Sequence, residues 1–425
     1  MRRLILTALA LAACTSAQEP AALSGRANMA PAATRPFVAA PVAQVRQPFA
    51  LAFLPDGRLL VTEKGGVLKL VEWDGRHPTL TSTVANVPEV AVGGQGGLLD
   101  VAVAPDFPHS HMVYLSYAEP RTTGSSLALA RAVLYDRPEC VVAPCGAELR
   151  NLQVIWRAGS DGQGGQFGAT IAFAPDGRSL FLASGERQRF TPAQDPDQAL
   201  GKIVHLTLDG RPAPDNPGFG RTGASVVGVI DPPRDTAAAA TAQTREWRSP
   251  GPNTAPAATW SSGHRNPYGL AFDVSGRLWE VEMGPRGGDE LNLIRRGGNY
   301  GWPRASNGSN YDGVDIPDHR PDGPDADGFV APKAWWNPSI SPGGMIIYSG
   351  TMFPGWRGSA LIAALSGKAL IRVALNGERA TPAEQWDMNA RLRDVAQAPD
   401  GAVWLLEDGE RGSGGRLLRL TPTSP

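Results

Sequence analysis

The chain has 425 residues, of which 42% are hydrophobic and 19% charged, and its 50 glycines and 38 prolines indicate many turns and few long helices. Its 40 basic and 41 acidic residues nearly cancel, so the charge balance does not support a protein that binds nucleic acid or an anionic membrane through net charge. This composition favours a globular protein rich in β structure.

The first fourteen residues, MRRLILTALALAAC, place two arginines before an apolar run that is too short to cross a bilayer, which predicts a secretory signal peptide. Residues 11–14 also resemble a bacterial lipoprotein box, in which Cys14 becomes the lipidated first residue. Ordinary cleavage a few residues later is the alternative. Residues 15–44, rich in Ala, Pro, Ser and Gln, are predicted to form a disordered tether. We therefore expect an exported protein, periplasmic or lipid-anchored at a membrane surface facing the periplasm.

Pairs of apolar strands joined by a turn, often Pro-Asp-Gly, recur along the rest of the chain. Clear copies span 49–64, 98–117, 169–186, 268–284 and 392–408, and a weaker copy spans 343–375. Several copies are followed by further strands, which gives about four short strands per unit. Six such units predict one all-β domain over 45–422, a six-bladed β-propeller of four-stranded antiparallel blades. Two β-sandwiches are the alternative, but a single repeat type along the chain favours the propeller.

Two stretches interrupt the repeats. Residues 233–258 are of low complexity and are predicted to form a surface insertion within a blade, and 303–334 form a long loop of the kind that frames binding sites. Cys140 and Cys145 are predicted to form a disulfide, because export favours oxidation and no other Cys or His lies close enough in sequence for a metal site.

Four loop segments carry unusual polar content: 92–100, 263–269, 282–290 and 389–395. Each adjoins an apolar strand of a repeat, so all four could open at the same end of the propeller channel. In segment 282–290, free carbonyl groups accompany the carboxylates of Asp289 and Glu290, a mixture of oxygen ligands that suits a hard cation such as calcium. An ordinary Gly-Asp turn is the alternative for that segment.

Three arginines, Arg265, Arg391 and Arg393, fall in these segments. Guanidinium groups near one channel mouth can grip planar carboxylates through paired hydrogen bonds, which predicts an anionic ligand. Ion pairing with the nearby acids Asp394 and Glu407 is the alternative.

Four motifs together resemble the soluble PQQ-dependent aldose sugar dehydrogenases of the glucose/sorbosone dehydrogenase family: GQGGLLDVAVAPDF, SGHRNPYGLAFD, GPRGGDELNLIRRGGNYGWP and RLRDVAQAPDG. The resemblance covers roughly residues 45–422, and the motifs in this order are far more specific than any one of them. It implies a six-bladed propeller that binds PQQ and calcium and oxidises an aldose at the anomeric carbon by hydride transfer to the quinone. A small-molecule sugar substrate and an unidentified electron acceptor follow, with no nucleic-acid partner and membrane contact only through a lipid anchor.

The resemblance also assigns residues. It implies that PQQ contacts Gln95, Arg265, Asn266, Tyr311, Arg391 and Arg393. For the family's cofactor lysine, this chain has Ser366 near the expected position and Lys368 two residues further on. The carbonyl groups of Gly284 and Pro285 match those that bind calcium beside the quinone, and Glu290 and Tyr300 match a second, structural calcium site.

The chain departs from the family at the residue expected to act as general base. Gln166 replaces the family histidine, and an amide can orient a hydroxyl but cannot take up its proton near neutral pH. Glu186 stands where an acid supports that histidine, and Thr170 replaces an arginine. Three hypotheses follow: a sugar dehydrogenase in which Glu186 is the base, a PQQ-binding module with little turnover, or a propeller scaffold that has lost the cofactor.

Overall fold

The computed structural model describes residues 25–74, 78–136, 146–229, 245–323, 326–409 and 414–423. The predicted signal peptide with Cys14, the predicted Cys140–Cys145 disulfide and part of the low-complexity insertion lie outside these residues. Within them, no helix is both long and apolar enough to cross a bilayer.

Six sheets form a ring of blades, and each blade runs from an inner first strand to an outer fourth strand. Blade 1 contains Pro48–Phe53, Leu59–Glu63, Val67–Trp73 and Pro78–Val84. Blade 2 contains Leu98–Val103, Met112–Pro120, Ser125–Asp136 and Ala147–Arg157. Blade 3 contains Gly168–Phe173, Ser179–Ser184, Lys202–Thr207 and Thr259–Ser262.

The remaining three blades repeat this order. Blade 4 contains Pro267–Phe272, Leu278–Glu282, Asp289–Leu293 and Ala334–Trp336, with Gly25–Arg26 added in parallel at its edge. Blade 5 contains Pro342–Ile347, Ala360–Ala364, Ala369–Asn376 and Arg379–Asp387. Blade 6 contains Leu392–Gln397, Val403–Glu407, Gly414–Pro422 and, as its outer strand, Phe37–Arg46.

Short strand pairs and helices accompany the six blades. Two short strand pairs join Val226–Val229 to Arg245–Arg248 and Arg286–Gly287 to Gly308–Ser309. Among the described residues the helices are single turns: Phe107–Ser110 and Ala255–Ala258 are α-helical, and Thr191–Gln194 and Pro354–Trp356 are 3₁₀.

The six inner strands each contact the inner strands of both neighbouring blades, which closes the ring around a central channel. The six sequence repeats correspond to the first two strands of the six blades, and the weaker copy also includes most of the third strand of blade 5. The predicted six-bladed propeller is therefore confirmed, and the alternative of two sandwiches is wrong. Between blades the core is apolar, and the fully buried rings of Trp279, Trp336 and Trp404 belong to it.

The N-terminal segment differs from the disordered tether predicted over 15–44. Phe37–Arg46 pairs with Gly414–Pro422, so a strand from the beginning of the chain closes the last blade, and Gly25–Arg26 already lies at the edge of blade 4. Along this strand only Phe37 and Val45 are buried, because it lies at the outer edge of its sheet. The alternation of apolar and polar residues that reveals a strand is therefore missing from its sequence.

Antiparallel order places the start of each inner strand and the end of each second strand at the same end of every blade. We call this end of the propeller the mouth. The polar loop segments 92–100, 263–269, 282–290 and 389–395 all reach it, as expected from the sequence. Segment 303–334 also contributes there, since its Gly308–Ser309 strand pairs with Arg286–Gly287.

Candidate active site at the channel mouth

Gln166 lies at the centre of the mouth, two residues before the inner strand of blade 3. Its backbone has a left-handed φ of +56°, and its N–H donates to Oε1 of Gln95 at 2.7 Å. With the side-chain amide oriented by its hydrogen-bond network, its oxygen accepts from Nη2 of Arg265 at 2.7 Å and its nitrogen faces the carboxylate of Glu186. The structure thus brings together four residues that the sequence singled out.

Glu186 lies beneath Gln166 and is completely buried. Its carboxylate accepts the backbone N–H of Gln188 at 3.1 Å and that of Phe190, and so organises the turn that follows the second strand of blade 3. Burial raises the pKa of Glu186, while the charge of Arg265 opposes that shift. A raised pKa suits a base near neutral pH, and the amide nitrogen of Gln166 contacts this carboxylate.

Arg265 connects the centre of the mouth to the 282–290 loop. Its Nη1 donates to the carbonyl oxygens of Met283 at 2.9 Å and Gly284 at 2.8 Å, and its Nη2 lies 3.3 Å from the hydroxyl of Tyr311. Tyr311 is 59% exposed, so the 303–334 loop presents an aromatic ring at the mouth. Nε of Arg265 is buried and has no partner among the described residues.

Glu282 holds the Arg265 loop in place and was missed by the sequence analysis. Its Oε2 accepts the backbone N–H groups of Arg265 at 2.6 Å and Asn266 at 3.3 Å, and its Oε1 lies 3.2 Å from Nδ1 of His264. Asn266 is itself buried and its Oδ1 accepts the N–H of Gly168 at 3.2 Å, which fixes the entry to blade 3. The alternating acids of the sequence WEVE could have indicated inward-facing carboxylates in this strand.

Arg391 and Arg393 both pair with Asp408, not with the expected Asp394 or Glu407. Nη2 of Arg391 and Nη2 of Arg393 approach the same Oδ2 of Asp408 at 3.3 and 3.2 Å. Asp394 instead accepts the N–H of Leu51, and Glu407 pairs with Arg416. The expected partners are wrong because Asp394 points into the contact with blade 1, while Glu407 faces the neighbouring strand.

Tyr268 joins the two arginine groups. Its hydroxyl donates to Oε1 of Gln95 at 3.0 Å, and the guanidinium of Arg393 lies 5.9 Å from its ring centre. A continuous series of contacts therefore runs from Arg393 through Tyr268 and Gln95 to Gln166 and Arg265.

Lys368 is not drawn into this network. It lies in an exposed turn at the mouth end of blade 5 with a left-handed φ of +47°, and its side chain contacts no other site residue among those described. Ser366 donates to the carbonyl of Ser339 at 3.2 Å, so it belongs to a separate serine cluster at the entry to blade 5.

A small cavity of about 10 Å³ lies below Arg265, and Gly284, Glu290 and Tyr300 line it together with Glu282. A space of this size holds one water-sized particle. The hydroxyl of Tyr300 donates to Leu293 and accepts from Arg295, so only its backbone carbonyl could ligate a cation. Two carboxylates and backbone carbonyls are donors that suit calcium, but Oε1 of Glu290 lies 3.3 Å from Nε2 of His319 and its Oε2 accepts from Asn292 at 3.1 Å, so an ion here would have to displace these partners.

The other predicted calcium ligands fit less well. The Gly284 carbonyl already accepts from Arg265, whose positive charge opposes a cation at that position, and Pro285 does not line the cavity. The described residues also contain a group that the sequence analysis missed, in which ligand atoms of His264, Glu280 and Glu282 lie within 4.8 Å of one another. Burial and the neighbouring Glu282 carboxylate raise the pKa of Glu280 well above its ordinary value.

The comparison with known families decides the class of the protein. A family model described as Glucose / Sorbosone dehydrogenase matches residues 45–227 and 249–419. The chain belongs to the glucose/sorbosone dehydrogenase family. The family resemblance inferred from the four motifs is therefore confirmed.

Relatives of this glucose/sorbosone dehydrogenase family member include sugar oxidoreductases. Aldose sugar dehydrogenase YliI of Escherichia coli (strain K12) is 35% identical over 381 residues, which cover 88% of this chain and 90% of that protein. A crystal structure of a glucose dehydrogenase is 37% identical with a TM-score of 0.73, over 91% of this chain and all of the other. The PQQ-bound form of aldose sugar dehydrogenase from Streptomyces coelicolor is 29% identical with a TM-score of 0.64, over 92% and 99% of the two chains.

Proposed function

We propose that the protein oxidises an aldose sugar at its anomeric carbon, with PQQ as the hydride acceptor and calcium as a bound cation. The observation that carries the proposal is the set of guanidinium groups of Arg265, Arg391 and Arg393 at the mouth, of which Arg265 contacts Gln166 directly. Arg391 and Arg393 share one oxygen of one carboxylate, so most of their N–H donors remain for an anionic ligand. PQQ is a tricarboxylic quinone, and its carboxylates suit such donors. The PQQ-bound relative supports the same cofactor.

The chemistry of the bound quinone would be to accept the C1 hydride of the sugar, which leaves a lactone once the C1 hydroxyl has lost its proton. Gln166 can hold that hydroxyl through its amide but cannot remove the proton. Glu186 is the acid whose carboxylate lies nearest to this position. Because the Gln166 amide contacts its carboxylate, Glu186 would accept the proton after the Gln166 side chain rotates away or through one intervening water.

Calcium enters this proposal at two positions. Glu290 and the backbone carbonyl of Tyr300 would hold a structural ion, since they line the small cavity below Arg265. The Gly284 and Pro285 carbonyls would hold an ion beside the quinone only if Arg265 released the Gly284 oxygen. An apolar run after two arginines at the N-terminus supports action outside the cytoplasm.

A second candidate function is PQQ binding with slow turnover, as in a sensing module. The observation that favours it is the contact between the Gln166 amide and the Glu186 carboxylate, because that contact engages the acid proposed as the base. The two functions share the cofactor site and differ in the rate of sugar oxidation.

Calorimetric titration of the metal-free protein with PQQ, with and without calcium, tests the shared cofactor site. The proposal expects about one PQQ per chain and tighter binding when calcium is present. Absence of binding under both conditions would contradict both functions and favour a propeller that only contacts other proteins. Where PQQ binds, dye reduction with aldoses separates the dehydrogenase from the slow binding module.

A further inference from the structure

A cluster of buried polar side chains lies at blade 4, and we call it the Glu280 cluster. Glu280 and Glu282 are two residues apart on the second strand of the blade, so both side chains point to the same side of the sheet. Asn292 lies directly opposite Glu280 on the third strand, and His264 joins them from the loop before the inner strand. All four residues are at most 4% exposed, so the cluster lies inside the protein.

The Glu280 cluster contains buried oxygen atoms that have no hydrogen-bond partner. Nδ2 of Asn292 donates to Oε2 of Glu280 at 3.1 Å and to Oε1 of Glu282 at 3.4 Å. Oε1 of Glu280 and Oδ1 of Asn292 are buried and accept from no group among the described residues. Because an unpaired buried carboxylate oxygen is costly, such atoms are normally satisfied by a proton, a donor or an ion.

The imidazole of His264 is oriented by its other contacts. Its Nε2 lies 2.9 Å from Oγ of Ser261, and its Nδ1 lies 3.2 Å from Oε1 of Glu282. When Nε2 carries the ring proton and donates it to Ser261, the lone pair of Nδ1 faces the carboxylate. A hydrogen bond that fixes the tautomer in this way is usual for histidines that bind a metal. The ring of Tyr300, stacked at 4.7 Å between ring centres, holds the imidazole in this orientation.

The spacing of the ligand atoms fits a single ion. One ligand atom each from His264, Glu280 and Glu282 lie within 4.8 Å of one another. Two atoms bound at about 2.1 Å to the same ion are roughly 3.4 Å apart in a tetrahedral site and roughly 4.2 Å apart on opposite sides of the ion. The 3.2 Å between Nδ1 of His264 and Oε1 of Glu282 matches neighbouring ligands, so only small side-chain movements are needed.

The charge of the Glu280 cluster also favours a cation. Among the described residues, no lysine or arginine pairs with Glu280 or Glu282, and the ion pair recorded for them is that of His264 with Glu282. The nearby guanidinium of Arg265 donates instead to the carbonyl oxygens of Met283 and Gly284. Two buried carboxylates without a cationic partner are costly, and a bound cation offsets that cost.

We propose that His264, Glu280 and Glu282 bind one divalent transition-metal ion. Oδ1 of Asn292, which has no other partner, is the candidate for a fourth ligand. One imidazole with two carboxylates suits zinc or manganese, whereas calcium takes oxygen ligands. The proposal does not depend on PQQ or on sugar oxidation.

This metal site differs from the position proposed for calcium. Calcium would lie in the small cavity lined by Glu290 and Tyr300, and neither Glu280 nor His264 lines that cavity. Glu282 lies between the two positions. Since its Oε2 accepts the N–H of Arg265 at 2.6 Å, an ion on its Oε1 would stabilise the loop that carries Arg265.

Thermal unfolding with calcium in excess tests the metal site, because ions gain access to the cluster whenever the protein unfolds. The protein is first freed of metals with a chelator, and zinc or manganese is then added. The Tm of the wild-type protein should rise by roughly 3 °C or more, since an ion that binds only the folded state stabilises it by mass action. Elemental analysis of the dialysed protein should find about one zinc or manganese ion per chain.

Glu280→Leu removes one ligand together with its buried charge, so this variant should fold. Its Tm should no longer respond to zinc or manganese, and its content of these ions should fall at least about tenfold, while calcium should stabilise it as it does the wild type. His264→Gln should lose the same response and provides a second test. Glu407→Gln, at a buried glutamate that ends the second strand of blade 6, is the matched control and should keep the response.

A wild-type protein that holds less than about a tenth of an ion per chain and shows no rise in Tm would overturn the metal site. Protons would then neutralise the carboxylates. Equal responses of the wild type and Glu280→Leu would show an adventitious ion only. If Glu280→Leu lost its response to calcium as well, the cluster would belong to the calcium site. Failure of the proposed function has a different signature, namely no PQQ binding in the same protein.

Discussion

The side-chain amide nitrogen of Gln166 contacts the carboxylate of Glu186, which is completely buried. In the proposed function this contact engages the carboxylate that would serve as the base, and the Gln166 amide itself cannot accept the proton.

Replacing Gln166 with histidine should raise the rate of aldose oxidation. In Gln166→His the imidazole would occupy the place of the amide, with Glu186 below it as a hydrogen-bond partner, and a positioned base contributes roughly 10²- to 10⁴-fold. We expect kcat for aldose oxidation to rise at least about tenfold, measured by dye reduction with PQQ present. Gln166→Asn is the matched control and should show no increase. An unchanged kcat in Gln166→His would indicate that proton removal does not limit the rate.

Glu186→Gln tests the acid itself. If Glu186 accepts the proton, this variant should lose roughly 10²-fold in kcat while PQQ affinity stays within about twofold. Because burial raises the pKa of Glu186, the wild-type rate should rise with pH across that raised pKa, as the carboxylate becomes deprotonated. The variant should lack this rise. Glu89→Gln, at an exposed position, is the control, and equal rates in wild type and Glu186→Gln would exclude Glu186 as the base.

Arg393→Gln tests the anion site. The guanidinium of Arg393 shares Asp408 with Arg391 and is mostly buried, so its loss removes a charge-assisted donor from the cofactor side of the mouth. We expect PQQ to bind roughly tenfold more weakly, measured by calorimetry. Arg357→Gln changes an exposed arginine in blade 5 and should bind PQQ as the wild type does. If the two variants bound PQQ with equal affinity, Arg393 would not be a cofactor-binding residue.

Asp100 and Asp394, on the inner strands of blades 2 and 6, give the propeller a dependence of stability on pH. Burial raises the pKa of Asp100 to about 7, and burial together with the charge of Asp100 raises that of Asp394 well above its ordinary value. A raised folded-state pKa stabilises the fold below the ordinary pKa of about 3.8, and this contribution is lost as pH rises through about 7.

Between pH 5 and pH 8, the Tm of the wild-type protein should therefore fall further than the Tm of Asp394→Asn. That variant lacks one of the two carboxyl groups that become charged. Thermal unfolding followed by circular dichroism at both pH values measures this difference. Parallel Tm changes in the two proteins would show that the pair does not titrate in this range.

The propeller could be predicted from sequence because each blade repeats two buried inner strands around a turn. The outer strand Phe37–Arg46 could not, since only its ends are buried and its partner lies almost four hundred residues away in the chain. Outer strands make few core contacts, and a strand supplied by the opposite terminus leaves no local signal.

The site likewise has some parts that could be predicted from the sequence and others that could not. Motif positions such as Gln95, Arg265 and Gln166 converge as expected, because loops at one end of a propeller must meet. The partner of Arg391 and Arg393 was not predictable, since Asp394 and Asp408 are equally plausible in sequence and only the direction of each side chain decides between them. The left-handed backbone of Gln166 and the contact of its amide with Glu186 likewise leave no sign in the sequence.

The rate of lactone formation by the PQQ- and calcium-loaded protein tests the central claim most directly. With neutral aldoses as substrates and a dye as electron acceptor, the account predicts a lactone in equal amount to the reduced dye, and a rate that increases in Gln166→His. If the wild-type protein and the Gln166→His variant both bind PQQ but neither forms a lactone from any aldose, the central claim is contradicted.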